Sequence, residues 1–143
     1  MKKLIYVGGF SGEDGARVAQ RLKQDFSQDG FEILDGTMYG SDPAHSMPQV
    51  FKTALLQASA FVFVLNRDDD TFNWSVASYL GALSSRSVFI WLPPTIADCV
   101  SASIFLPVLK RQQKTIILHE EEGLMNILKL TLPAIACLER IPG

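Results

Sequence analysis

Two short stretches of this chain set side chains with chemical potential close together. The first is Gly8-Gly9-Phe10-Ser11-Gly12-Glu13-Asp14, a pair of glycines and a hydroxyl ahead of two carboxylates. Glycines let backbone N–H groups approach a ligand, and a helix starting here aims its positive dipole end at one. Gly8, Gly9, Phe10 and Ser11 are therefore candidates to cradle a ribose or a phosphate. The same residues also suit the tight strand-to-helix turn that any such fold needs. The G-x-G-x-x-G spacing of dinucleotide sites is absent. The second stretch is Asn66-Arg67-Asp68-Asp69-Asp70. Facing the first, it makes a mouth of several carboxylates against one arginine. Such a mouth repels a bare phosphate and suits sugar hydroxyls, a cationic ring or a metal ion; alone, it is a solvated acidic loop.

The segment after it, Asn73-Trp74-Ser75-Val76-Ala77-Ser78-Tyr79-Leu80-Gly81-Ala82, reads as a helix whose start points into the same mouth. Trp74 offers either a stacking surface for a base or a hydrophobic plug. Gly81, costly by about 1 kcal/mol inside a helix, marks a close contact. Asp35 ends an apolar run, where a ribose-binding acid would stand.

Positioning these residues requires alternating strands and helices. Leu4–Val7 is an apolar run closed by glycines, a strand. A capping-box pattern at Ser11 and Asp14 opens a helix with Val18, Ala19, Leu22 and Phe26 on one face and Arg17, Arg21, Lys23 and Gln24 toward water. Gly30 ends it before the strand Phe31–Leu34. Residues 35–48 are rich in Gly, Ser, Asp and Pro and form a long loop. A helix then carries Val50, Phe51, Ala54, Leu55 and Ala58 as its apolar stripe. Phe61–Leu65 is a continuously apolar central strand, followed by the helix near Trp74–Ser84. Val88–Leu92 is the fourth strand, and a mostly apolar helix interrupted at Pro107 occupies residues 95–112. Thr115–Leu118 is the fifth strand. The last helix runs from Glu121 toward Leu138, kinked at Pro133.

This alternation predicts right-handed βαβ units on a doubly wound, five-stranded parallel sheet of α/β class, in the flavodoxin-like order 2-1-3-4-5. In that order the crevice lies between strands one and three, and the two acidic stretches meet there.

Bulk properties narrow the function. The 143 residues fit one domain, 1–143, with 48% hydrophobic and 20% charged side chains. A net charge of −2 lacks the basic footprint of a duplex nucleic-acid binder. No apolar stretch reaches a bilayer-spanning length and no signal-peptide core follows Met1-Lys2-Lys3, so a cytoplasmic protein without membrane contact is expected. Cys99 and Cys137 sit among apolar neighbours and have no zinc spacing; no metal and no cofactor are expected. Ile104, Phe105, Leu106, Val108 and Leu109 are more apolar than one covering helix requires. They read as core, with a homodimer face through 95–109 as the alternative.

Taken together, the residues resemble the nucleoside 2-deoxyribosyltransferase-like and TIR-like group. The TIR-like features are Val7–Asp14, with its Ser-Gly-Glu-Asp helix start, and Ala58–Leu65 followed by Trp74. Tyr79-Leu80-Gly81-Ala82 is similar to the deoxyribosyltransferase Glu-x-Gly-x-Ala stretch. The resemblance covers residues 4 to 92 and rests on short motifs. It implies a small nucleoside or nucleotide ligand and chemistry at an N-glycosidic bond. The family's catalytic glutamate falls on Ser78 when aligned on the tryptophan and on Tyr79 when aligned on the glycine, and neither is an acid. His45 and His119 are not placed as bases for a serine. The expected function is thus a nucleoside- or nucleotide-binding, sensing domain, with Asn66, Asp70, Trp74, Ser78 and Tyr79 lining the ligand beside the glycine stretch. Two alternatives stand: an N-glycosidase or ribosyl transferase using Glu13 or Asp68 as a displaced acid, and a protein-interaction scaffold.

Overall fold

The computed structural model describes residues 3–9, 13–36, 57–83 and 86–139, apart from the side chains of 83 and 136–139. In chain order the elements are β1 (Lys3–Gly9), α1 (Glu13–Phe26), β2 (Phe31–Asp35), β3 (Ala58–Val64), α2 (Thr71–Leu83), β4 (Ser87–Trp91), α3 (Val100–Leu109), β5 (Thr115–Leu118) and α4 (Glu121–Glu139). Short 3-10 turns follow α1 and precede α3. The five strands form one parallel sheet in the order β2-β1-β3-β4-β5, the flavodoxin-like arrangement the alternation predicts.

The sheet separates two apolar layers. Val18, Ala19, Leu22 and Phe26 of α1 and Leu124, Met125, Leu128 and Leu132 of α4 cover Ile5, Val7, Val62, Val64, Phe89 and Trp91. On the other face Trp74, Ala77 and Leu80 of α2 and Ala102 and Leu109 of α3 cover Tyr6, Phe61, Phe63, Leu65, Ile90 and Leu92. Every residue of β3 is buried, as a central parallel strand requires. A bulge at Ser59 switches faces: Ala58 pairs with Leu4 and joins one layer, while Ala60 pairs with Ile5 and joins the other. Gly30 takes φ +85°, the left-handed turn that releases the chain from α1 into β2.

Several boundaries differ from the sequence reading. Ala58 opens β3 rather than closing a helix stripe, because its backbone pairs with β1. The remainder of that helix (Val50, Phe51, Ala54, Leu55), the loop from 37 onward and His45 lie outside the described residues. α2 starts at Thr71, a turn before Trp74, since Asp70 caps it. Pro107 does not end α3; both it and Ser103, whose carbonyl loses its i+4 N–H donor to the proline, lie on the exposed side of the helix. α4 likewise continues through Pro133. The apolar segment 95–109 divides: Leu109 is core and Phe105 packs on Trp74, but Ile104 and Val108 are 58% and 44% exposed. Among the described residues no helix is long and apolar enough to cross a membrane.

Candidate functional site

β1 and β3 are adjacent, with Gly8 opposite Phe63 and Gly9 opposite Val64, so the chain leaves both strands at one edge of the sheet. α1 begins there as well, and the two acidic stretches touch. Asn66, the second residue beyond β3, donates from Nδ2 to Asp14 Oδ2 at 2.8 Å. A carboxylate only accepts, which fixes the amide orientation and turns Oδ1 the other way. That oxygen is buried and has no hydrogen-bond partner among the described residues.

A charged strap borders this junction on the α1/α4 side. Asp14 also accepts from Arg17 at 2.9 Å. Arg17 reaches Glu121 Oε1 at 2.6 Å, and Arg21 reaches Glu121 Oε2 at 2.5 Å and Glu122 Oε1 at 2.7 Å. Arg17 lies 6.0 Å from the Trp91 ring centroid, at the outer limit of a cation–π contact. The Arg17 hydrogen bond, reinforced by Arg21, holds the Glu121 carboxyl below its usual range. The helix side of α1 expected to face water is thus partly tied to α4.

The three consecutive aspartates have separate roles. Asp68 accepts from the Ser101 backbone N–H at 2.8 Å, and Ser101 Oγ donates to the Asp68 carbonyl at 2.6 Å. These contacts join the loop to the start of α3 and hold the Asp68 carboxyl low. A carboxyl held as an anion is a poor proton donor at neutral pH, and Asp68 Oδ1 is already engaged by the Ser101 N–H at the start of α3. Asp69 pairs with Arg67 at 2.7 Å. Asp70, 5% exposed, caps α2 through the Asn73 backbone N–H and also accepts from Asn73 Nδ2 at 2.8 and 3.0 Å. Burial pushes its carboxyl up, against these hydrogen bonds. Its geometry is that of a helix cap rather than a ligand contact.

Other expected ligand residues are also placed elsewhere. Trp74 is wholly buried; its indole N–H donates to the Arg67 carbonyl at 3.0 Å and its ring stacks on Phe105 at 6.1 Å. It is the plug, not a base platform. Ser78 donates back to the Trp74 carbonyl at 3.0 Å, and its own carbonyl accepts from Gln112, which precedes β5 at the opposite edge of the sheet. Tyr79 is 66% exposed on the solvent side of α2. Neither residue belongs to the mouth, because α2 runs away from it. A side chain at Gly8 would meet the Phe63 ring at 2.7 Å, so the glycine serves the core. Gly9 is buried at the end of β1. Glu13 stands exposed in the first turn of α1. Phe10 and Ser11 lie outside the described residues. Asp35 pairs with Lys23 at 3.9 Å.

Residues not anticipated at this edge are Trp91, Ser101, His119 and Glu121. His119 Nδ1 sits 2.9 Å from the Leu92 carbonyl, which can only accept, so Nδ1 carries a hydrogen. The His119 carbonyl in turn receives the Trp91 indole N–H at 3.3 Å. Only the topology reveals these residues: in a parallel order each strand's last residues share one edge, so His119 and Glu121 after β5 come to the same edge as Asn66. Among the described residues no group of three or more His, Cys, Asp or Glu is arranged to hold a metal ion. The chain matches no family model, and neither a curated protein nor a solved structure is significantly similar to it.

Proposed function

We propose that this protein is a nucleoside- or nucleotide-binding, sensing domain of the deoxyribosyltransferase-like and TIR-like type, lacking the usual glutamate nucleophile. The Asn66 side chain carries the reading. Its nitrogen is anchored on Asp14, and its oxygen is a buried acceptor with no partner among the described residues. Such an oxygen calls for a donor, and a ribose hydroxyl or a base amine supplies one. The position supports it too, since ligands of open parallel sheets bind at the carboxyl edge where the strand order reverses. Arg17, Arg21 and Arg67 at this edge are each paired with carboxylates, so the site favours the nucleoside part over a phosphate tail.

Thermal unfolding with adenosine, other nucleosides, their monophosphates and nicotinamide dinucleotide tests the proposal. A bound ligand at 100 times its dissociation constant adds about 2.7 kcal/mol, which raises Tm by roughly 10 °C in a domain of this size. A nucleoside is expected to give that rise, its monophosphate no more, and Asn66→Ala to remove it. Absence of any shift with the whole panel at millimolar concentration overturns the reading. Release of free base by the parent protein, lost in Glu13→Gln, favours the glycosidase alternative instead.

A further inference from the structure

The exposed side of α3 presents Val100, Ser103, Ile104, Pro107 and Val108, the i, i+3, i+4, i+7, i+8 stripe that normally faces a core. Val100 and Ile104 are 65% and 58% exposed, and α3 contains no charged residue between Val100 and Leu109. An open groove of about 300 Å³ runs along one flank of the stripe, from Ala97 to Pro107. The opposite face of the same helix is satisfied, with Ala102 and Leu109 in the core. The charges bounding the stripe differ in sign. Asp98 is exposed ahead of its amino end, and Lys110 and Arg111 are exposed just past its carboxyl end.

From this arrangement we infer that α3 is a self-association surface on which a second copy of the chain docks with its own α3 antiparallel. Asp98 and Lys110 each lie six positions from Ile104. A two-fold axis near Ile104 therefore brings the Asp98 end of each stripe to the Lys110–Arg111 end of the other, with Arg111 at i+7 from Ile104 on the stripe side, and lays the uncharged stripes together. The pairing is isologous, uses both opposite-charge ends at once, and opposes the two helix dipoles. A parallel pairing instead brings Asp98 to Asp98 and the basic ends together. The charge pattern thus selects a second copy, and its orientation. A ten-residue helix is about 15 Å long. Its paired stripe alone buries less than the ~800 Å² per partner of a standard interface, so the dimer is weak and concentration-dependent.

Sedimentation equilibrium of the full chain over a hundredfold concentration range tests this. The parent is expected to associate reversibly to dimers. Ile104→Lys, at an exposed position, is expected to weaken association at least tenfold while leaving the melting curve of the dilute protein unchanged. Asp98→Lys alone and the Lys110→Glu/Arg111→Glu pair alone are each expected to weaken it, since each homodimer then repeats a like-charge contact twice. Mixing these two proteins restores opposite charges at both ends of a heterodimer, and the mixture is expected to regain association. A parent that stays monomeric throughout overturns the inference. So does association unaffected by Ile104→Lys, or a mixture that associates no better than its components.

Discussion

Replacing Gly81 by alanine sets two effects of opposite sign against each other, and the structure gives the size of each. Removing a glycine from the interior of α2 is worth about 1 kcal/mol in helix propensity. Against this, the new Cβ falls on the Gln112 side-chain amide and comes within 2.8 Å of Thr115 Oγ1. Gln112 is not a loose side chain: its Nε2 donates to the Ser78 carbonyl at 2.8 Å, and Thr115 donates to its Oε1 at 2.8 Å. Making room breaks both bonds, at about 1 kcal/mol each, and forces Thr115 off its rotamer for roughly another 1 kcal/mol. The net expectation is a loss of about 2 kcal/mol. In a Gln112→Ala background the two hydrogen bonds are already gone. There the propensity gain and the Thr115 contact roughly offset each other, so the same substitution is close to neutral. Urea denaturation of the four proteins closes the cycle, with an unchanged m-value as the check on two-state unfolding. A coupling below about 0.5 kcal/mol, or stabilisation of the parent by Gly81→Ala, refutes the reasoning.

Three further outcomes follow from the site. Asp70→Asn keeps the backbone cap and removes a charge that burial disfavours, but sets an amide nitrogen against Asn73 Nδ2, so at pH 7 it is expected to lose less than Asp70→Ala, which loses about 1 kcal/mol. The parent's raised Asp70 carboxyl means the folded state binds the proton more readily; this group therefore adds stability as pH falls from that raised value through 3.8, and Asp70→Asn abolishes the increment in acid denaturation series. Glu121 has the opposite sign: its carboxyl is lowered, so its contribution, about 1 kcal/mol, is present above 4.5 and lost as pH falls below that value, and Glu121→Gln flattens the profile there. Trp74→Phe loses the bond to the Arg67 carbonyl and part of the plug, a cost of about 2 kcal/mol in denaturant titration, and leaves any nucleoside-induced melting shift intact.

The strand order was legible because each strand is a short apolar run separated from the next by a helix-length interval, and a right-handed crossover leaves few orders for five such strands. The boundaries were less so. Ala58 fits an apolar helix stripe as well as a buried strand, and only its pairing with Leu4 decides. Ile104 and Val108 fit a core by composition, but which side of α3 faces the sheet depends on helix placement, which hydropathy alone does not encode. Gly81 was readable in kind, as a close approach, though its partner lies 31 residues further along the chain.

Misplacement of the ligand residues has two physical sources. One was avoidable. Trp74, Ala77, Ser78 and Gly81 share a helix face by spacing, so burial of Trp74 carries Ser78 inward as well, and each residue after Trp74 steps about 1.5 Å away from the mouth. The other was not: whether an aspartate is a free acid or a tether depends on a partner distant in sequence, as with Ser101 for Asp68. Counted as free charges, Asp68, Asp69 and Asp70 make a mouth hostile to anions. Engaged with a helix start, an arginine and a helix cap, they leave a much weaker field. Under the proposed function, rejection of a phosphate then rests less on repulsion than on each arginine at this edge already holding a carboxylate. The distinction is measurable. Glu121→Gln loosens Arg17 and Arg21, so if pairing is what denies the phosphate a cation, this variant responds more strongly to a nucleoside monophosphate than the parent does. If bulk acidity is responsible, removing this single negative charge changes the response only slightly, and raising the salt concentration changes it more.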